Sequence, residues 1–240
     1  MEEITRRADA LMGLDRWEEA ETLLLRAREA AAADGRAERE LSLCSELLGF
    51  YRMRGDEAGF GPVWARTLEL LSRVRPGPVS RGTILVNGAT GLVAFGRAAE
   101  ALPLYREALD CLARSLPEGD FRLAALYNNM AAAFRACGAP DRAEEHIRRA
   151  LAVLEWLPHH PDVATSYVNL AQLYAAGDRA DPRIGECLDK AMAALDDPEM
   201  LWDGYYAHTA RKCAGGFRDL GRPGEAGELE ERAALLYEGT

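Results

Sequence analysis

The chain has 240 residues, more than the roughly 100–200 usual for one domain, and carries 29 Lys and Arg against 39 Asp and Glu, a formal net charge of −10. That acidic balance excludes nucleic acid as the default partner, because affinity for it comes largely from neutralising phosphates. With 48% hydrophobic and 28% charged residues the chain is globular rather than disordered. Roughly forty alanines, beside abundant Leu, Arg and Glu, predict an all-α fold, since these are strong helix formers.

Taken from the N-terminus, a short phrase ending in a small residue recurs. It appears first as Asp15-Arg16-Trp17-Glu18-Glu19-Ala20 and again as Gly96-Arg97-Ala98-Ala99-Glu100-Ala101. It returns as Gly138-Ala139-Pro140-Asp141-Arg142-Ala143 and as Gly221-Arg222-Pro223-Gly224-Glu225-Ala226. Each copy has a small residue upstream, at Ala8, Ala89, Ala131 and Ala214, and an alanine downstream, at Ala27, Ala108, Ala150 and Ala233. Two weaker copies fill the gaps, one through Leu48, Tyr51, Gly55 and Trp64, the other through Asn169-Leu170-Ala171, Tyr174, Asp178 and Ala191. The spacing predicts about six helix-turn-helix repeats in one array over 1–240, at roughly 2–35, 36–76, 79–117, 120–158, 161–197 and 201–238.

The small residues have a physical reason to recur. Two antiparallel helices joined by a short turn approach closely only where side chains are small. Gly near the turn tolerates the left-handed conformation that often ends a helix. One hairpin cannot bury its own apolar face, so neighbours must stack. In the second copy Phe60 stands at a small-residue position. Proline is tolerated only in the first turn of a helix, so Gly59-Phe60-Gly61-Pro62 predicts a helix starting near Gly61 after a loop over Asp56 to Phe60. In the fifth copy Asp181-Pro182 shifts the second helix and Ile184 takes the small position. Both joints are expected to pack less tightly than the others. Arg7 and the polar last helix, Glu225 to Tyr237, read as natural ends of a complete array.

Tyr127-Asn128-Asn129-Met130-Ala131, followed by Phe134, Ala143, Ile147 and Ala150, resembles the tetratricopeptide repeat family. Tyr167-Val168-Asn169-Leu170-Ala171 with Tyr174 resembles it too, and the lengthened period is similar to that of kinesin light chain repeats. The resemblance covers essentially the whole chain. It implies a right-handed α-α superhelix whose first helices line a concave groove, with the residue two before the small packing position facing that groove.

Along that row stand Arg6, Glu46, Asn87, Asn129, Asn169 and Lys212. A carboxamide both donates and accepts, so it can hold a peptide C=O and N–H together. The same carboxamides could instead bond the neighbouring helix and stiffen the array, and both roles stand open. Thr90, Asn128 and Gln172 are expected to add polar lining. His208, Arg211 and Lys212 fall at i, i+3 and i+4 on one helical face, with Arg218 beyond, and could receive an acidic side chain or a terminal carboxylate. The expected function is a non-enzymatic scaffold binding an unidentified protein or peptide segment. The alternatives are a self-associating, homo-oligomeric scaffold, or the sensor part of a bacterial peptide-responsive regulator without its DNA-binding domain.

No catalytic constellation accompanies these residues. His146, His159, His160 and His208 lie on three different repeats without Ser or Cys partners at a recognisable spacing. His159-His160 reads as a solvated loop between Pro158 and Pro161, and Asp196-Asp197 as a turn. Asn87-Gly88-Ala89-Thr90-Gly91 lacks the Lys-Ser/Thr of a phosphate loop, and its Gly88 is a close-packing residue. Trp64, Tyr105, Phe134 and Tyr174 fall at core positions. Cys44, Cys111, Cys137, Cys187 and Cys213 are odd in number and unclustered, so disulfides and metal are not expected. Neither a cofactor nor a membrane is called for: no apolar run reaches 18 residues, and Met1 to Arg7 lacks the features of a secretory leader. A cytoplasmic setting is the expectation.

Overall fold

The computed structural model describes residues 2–157 and 159–238; Pro158, assigned above to the histidine loop, lies outside them. Among the described residues there are twelve helices and no strand. In chain order they are α1 (Glu2–Gly13), α2 (Trp17–Ala33), α3 (Ala37–Arg54), α4 (Glu57–Arg73), α5 (Pro78–Ala94) and α6 (Ala98–Ala113). They continue as α7 (Phe121–Ala136), α8 (Pro140–Leu154), α9 (Asp162–Gly177), α10 (Arg183–Leu195), α11 (Gly204–Asp219) and α12 (Pro223–Glu238). The fold class is all-α, built from helix-turn-helix repeats, as composition and periodicity predict. Two compact units divide the chain, Met1–Leu116 with the first three hairpins and Pro117–Thr240 with the last three.

Five hairpins reverse by the same local chemistry. Asp15, Gly55, Gly96, Gly138 and Gly221 all have positive φ, with Asp15 at 59° the one residue that carries a Cβ. The residue after each donates its N–H to a carbonyl five positions back: Arg16 to Leu11, Asp56 to Tyr51, Arg97 to Leu92, Ala139 to Phe134 and Arg222 to Phe217, all at 2.8–2.9 Å. This bond satisfies a carbonyl that the helix end would leave bare. The α9/α10 hairpin turns differently, through an extended Asp178 and an Asp181 carboxylate that accepts the Arg183 N–H at 2.9 Å.

The recurrent alanines are contact points. Ala8, Ala20, Ala89, Ala101, Ala131, Ala143, Ala214 and Ala226 are all buried, as are Ala108, Ala150 and Ala233, while Ala27 is only half-buried. Trp64, Tyr105, Phe134 and Tyr174 are buried too, as their core spacing predicts.

The second hairpin departs from expectation. Helix α4 begins at Glu57, not Gly61, and Pro62 lies inside it. Asp56 caps the end, its carboxylate accepting the Gly59 N–H at 2.9 Å, a contact worth about 1 kcal/mol. No loop replaces Asp56 to Phe60. Phe60 is fully buried because its partner supplies the space: a Cβ at Gly91 of α5 would strike the Phe60 ring, and one at Gly88 the Trp64 ring. The small residue has moved across the interface. In the fifth copy α10 starts late, at Arg183, and Ile184 is buried.

Candidate functional site

In the first unit the row runs over α1, α3 and α5. Asn87 on α5 donates its amide to the Ser45 hydroxyl of α3 at 2.9 Å, keeping its carbonyl oxygen in hand. Thr90, one turn on, donates to the Val86 carbonyl (2.8 Å) and so receives the Tyr105 hydroxyl of α6 (3.0 Å). Its hydroxyl is spent within the hairpin. Asp9 and Glu46 are exposed, yet burial pushes both carboxyls above the ordinary range, with Asp9 adding to the effect at Glu46. Arg52 on α3 is exposed as well, and burial pushes it down.

In the second unit Asn169 of α9 donates its amide to the Asn128 carbonyl oxygen of α7 at 3.1 Å. Ser45 and Asn128 each stand one residue before the row on their own helix, so this bond repeats the Asn87–Ser45 bond at the next joint of its own unit. Asn128 in turn donates to Ser166 of α9 at 2.9 Å and is 4% exposed. Asn128 is therefore a buried strut and does not line the open face, a correction to its expected role. A residue adjacent to the row is turned about 100° around the helix, toward the neighbouring helix. Asn129 is half-buried and makes no side-chain hydrogen bond among the described residues.

Gln172 lies one turn beyond Asn169, against α11, where a Cβ at Gly216 would come within 3.2 Å of its amide nitrogen. It borders an open depression of about 410 Å³ lined also by Arg135, Arg179, Asp219 and small Ala175 and Ala176. Arg135 and Arg179 were not picked out from the sequence; helical spacing from Gln172 to Ala175 and Ala176 was the available signal. His208, Arg211 and Lys212 are exposed on α11, and Arg218 pairs with Glu230 at 2.7 Å.

The other candidates resolve into structure. His159 and His160 do occupy a loop, but His160 is not solvated: it stacks on Phe121 and Tyr205, and burial pushes its pKa down. Asp197 lies in the turn after α10 and accepts the Glu199 N–H at 2.8 Å. No cluster of three or more His, Cys, Asp or Glu suited to a metal ion occurs among the described residues. No described helix is long and apolar enough to cross a membrane.

Residues 122–181 match the tetratricopeptide repeat family. Among solved structures, BtubC (BKLC) from P. vanneervenii is 22% identical, covers 94% of this chain and 91% of its own, and superposes with a TM-score of 0.60. Nearly identical TPR-like repeats of a kinesin light chain type from Podosopora anserina are 20% identical over 82% of this chain and 94% of that one, TM-score 0.55. A Rap protein complexed with Competence and Sporulation Factor is 16% identical over 98% of this chain and 72% of that one, TM-score 0.63. At these identities the likeness is one of fold. No curated protein sequence matches the chain.

Proposed function

We propose that this array of helix-turn-helix repeats, which matches the tetratricopeptide repeat family over residues 122–181, is a protein-interaction scaffold whose second unit holds an extended peptide segment against α7, α9 and α11. The observation that carries this reading is the Asn129 carboxamide, half-buried on the row yet without a side-chain partner among the described residues. Asn169 and Lys212 continue the row on the next two first helices. Neighbouring helices pack about 10 Å apart and an extended peptide rises about 3.3 Å per residue, so each row residue meets about every third residue of a ligand. Lys212 and the Arg135–Arg179 rim suit a carboxylate at one end of it. The Rap protein, of the same fold, is solved with a bound factor, which supports ligand holding by such an array. The reading of residues 1–240 as one array, in a cytoplasmic setting, belongs to the same proposal; all five cysteines are free thiols, which suits a reducing compartment.

The test uses 12-residue peptides selected on the full chain from a random display library, with affinity measured by calorimetry. A doubly bonded amide contact worth about 1 kcal/mol predicts that Asn129→Ala weakens binding several-fold. Lys212→Ala is expected to weaken peptides bearing a carboxylate more than amidated ones. Unchanged affinity in the double variant N129A/K212A overturns the reading.

A further inference from the structure

The segments leading into the three hairpins of the second unit have a composition found nowhere else in the chain. Segments 117–121, 155–161 and 196–205 contain no lysine or arginine but carry repeated Asp and Glu together with Phe121, Trp156, Leu201, Trp202 and Tyr205. Folding brings Phe121, His160 and Tyr205, one from each segment, to one edge. The Phe121 ring stacks on His160 with centroids 5.0 Å apart, and Tyr205 meets both, at 5.3 Å from His160 and 6.0 Å from Phe121. Tyr205 donates its hydroxyl to Asp162 at 3.0 Å. His159 reaches across to Asp197 at 2.9 Å and Glu199 at 3.1 Å. Trp156 lies over Gly119, where an added Cβ would sit 3.1 Å from the tryptophan Cβ.

The edge is built, yet its apolar parts are left in water. Trp156 is 74% exposed, Leu201 73% and Trp202 46%, with Phe121 and Tyr205 also exposed. Such a concentration of aromatic surface marks an interaction site, because tryptophan and tyrosine dominate the energetics of interfaces. The edge also shows what it accepts. Arg232 of α12 already lays its guanidinium over the Trp202 ring at 5.5 Å from the centroid, and Trp202 stacks on Tyr206 at 4.9 Å. Around these rings Glu118, Glu155 and Glu199 are exposed and have no arginine or lysine partner among the described residues.

We propose that this edge docks an arginine-rich segment of a partner protein. A guanidinium of the partner lies on the exposed face of Trp156, as that of Arg232 lies on Trp202 within the chain, and others reach the exposed edge of the Trp202 ring that Tyr206 and Arg232 leave open. Their methylene stems cover Leu201 and the ring edges, and Glu118, Glu155 and the His159-bound Glu199 supply the opposite charge. The site is separate from the amide and cation face of α7, α9 and α11, whose charge repels such a segment.

The experiment titrates the full chain with fluorescein-labelled octa-arginine at physiological ionic strength, read by anisotropy, with octa-lysine as comparison. Octa-arginine is expected to bind at least fivefold more tightly than octa-lysine, and W156A/W202A to remove that advantage. Trp156→Ala alone, at the most exposed ring, is expected to weaken octa-arginine about threefold and guards against misfolding of the double variant. The triple variant E118Q/E155Q/E199Q is expected to flatten the salt dependence. Equal binding by wild type and W156A/W202A would reduce the effect to diffuse attraction by a chain of net charge −10 and overturn the proposal, as would no binding at all. Concentration-dependent mass lost in W156A/W202A, without peptide binding, would assign the edge to a second copy of the chain and overturn it equally.

Discussion

On α1, α3 and α5 the first unit carries Asp9, Glu46, Arg52 and a single row amide, Asn87, whereas on α7, α9 and α11 the second carries Asn129, Asn169, Gln172 and Lys212. Their loops contrast as well. Between hairpins the first unit uses Asp34-Gly35-Arg36 and Val74-Arg75-Pro76-Gly77, short and without exposed aromatics; the second uses long, acidic, aromatic segments. Yet both units share the buried alanines and, at five hairpins, the same left-handed turn and five-residue back-bond. The packing positions are therefore common property, and what distinguishes the units sits on the faces and edges that packing leaves free. That is the physical content of saying that a fold does not fix a function.

The largest expected effect tests the first unit's distinctive joint. Phe60→Ala removes a fully buried ring that Gly91 of α5 makes room for, so it is expected to cost about 3–5 kcal/mol in urea unfolding. Hydrogen exchange should quicken first along α4 and α5. Unaltered exchange there would show that Gly91, not the ring, sets the contact.

A middle-sized effect compares the two strut bonds directly. Asn128→Ala strips an acceptor from Asn169 and a donor from Ser166, and is expected to lower stability by about 1–3 kcal/mol. Ser45→Ala in the first unit removes one acceptor and is expected to cost less than Asn128→Ala in the same denaturant titration. Equal losses would mean that the second amide bond of Asn128 adds nothing.

The smallest effect separates the two faces by pH. Because burial and Asp9 raise the Glu46 carboxyl, its ionised form opposes folding at neutral pH. The stability it contributes is fully present below the ordinary glutamate value of about 4.3 and is lost as pH rises through the raised folded value. Glu46→Gln mimics the protonated state, so its melting temperature is expected to exceed wild type at pH 7 and to meet it near pH 3.5. A constant difference across that window would place the cause outside this carboxyl.

Much of the fold was legible because it is periodic. Alanines at fixed offsets, aromatics at core spacing and Gly or Asp at each reversal are local signals repeated about six times, so errors in one copy are corrected by the others. Phe60 escapes the small-residue rule because its space is supplied by Gly91, on another helix: complementarity between residues some thirty positions apart is invisible to a rule applied one repeat at a time. The candidate site was half legible. Row membership of Asn87, Asn129 and Asn169 follows from spacing, but whether an amide faces a ligand or a neighbour depends on what stands one residue earlier on the adjacent helix. There Ser45 and Asn128 accept, and they engage Asn87 and Asn169. The aromatic edge gave no periodic signal, since Trp156, Leu201 and Trp202 lie in irregular segments where neither helix nor strand period applies.

The Asn128-Asn129 dipeptide of α7 has a genetic consequence. One position supplies the acceptor used by the following hairpin, and the next holds the residue type that donates at the equivalent place in α5 and α9. A duplicated copy of that hairpin, inserted in tandem, would arrive with both halves of the connector already in register. The Ser45 hairpin lacks this property, because Glu46 follows the acceptor. Lengthening by unequal crossing-over at this hairpin would keep that donor and acceptor in register but would set Leu126 of the copy where Ser166 now accepts the Asn128 amide, so Leu126→Ser is the one compensating change such a duplication calls for.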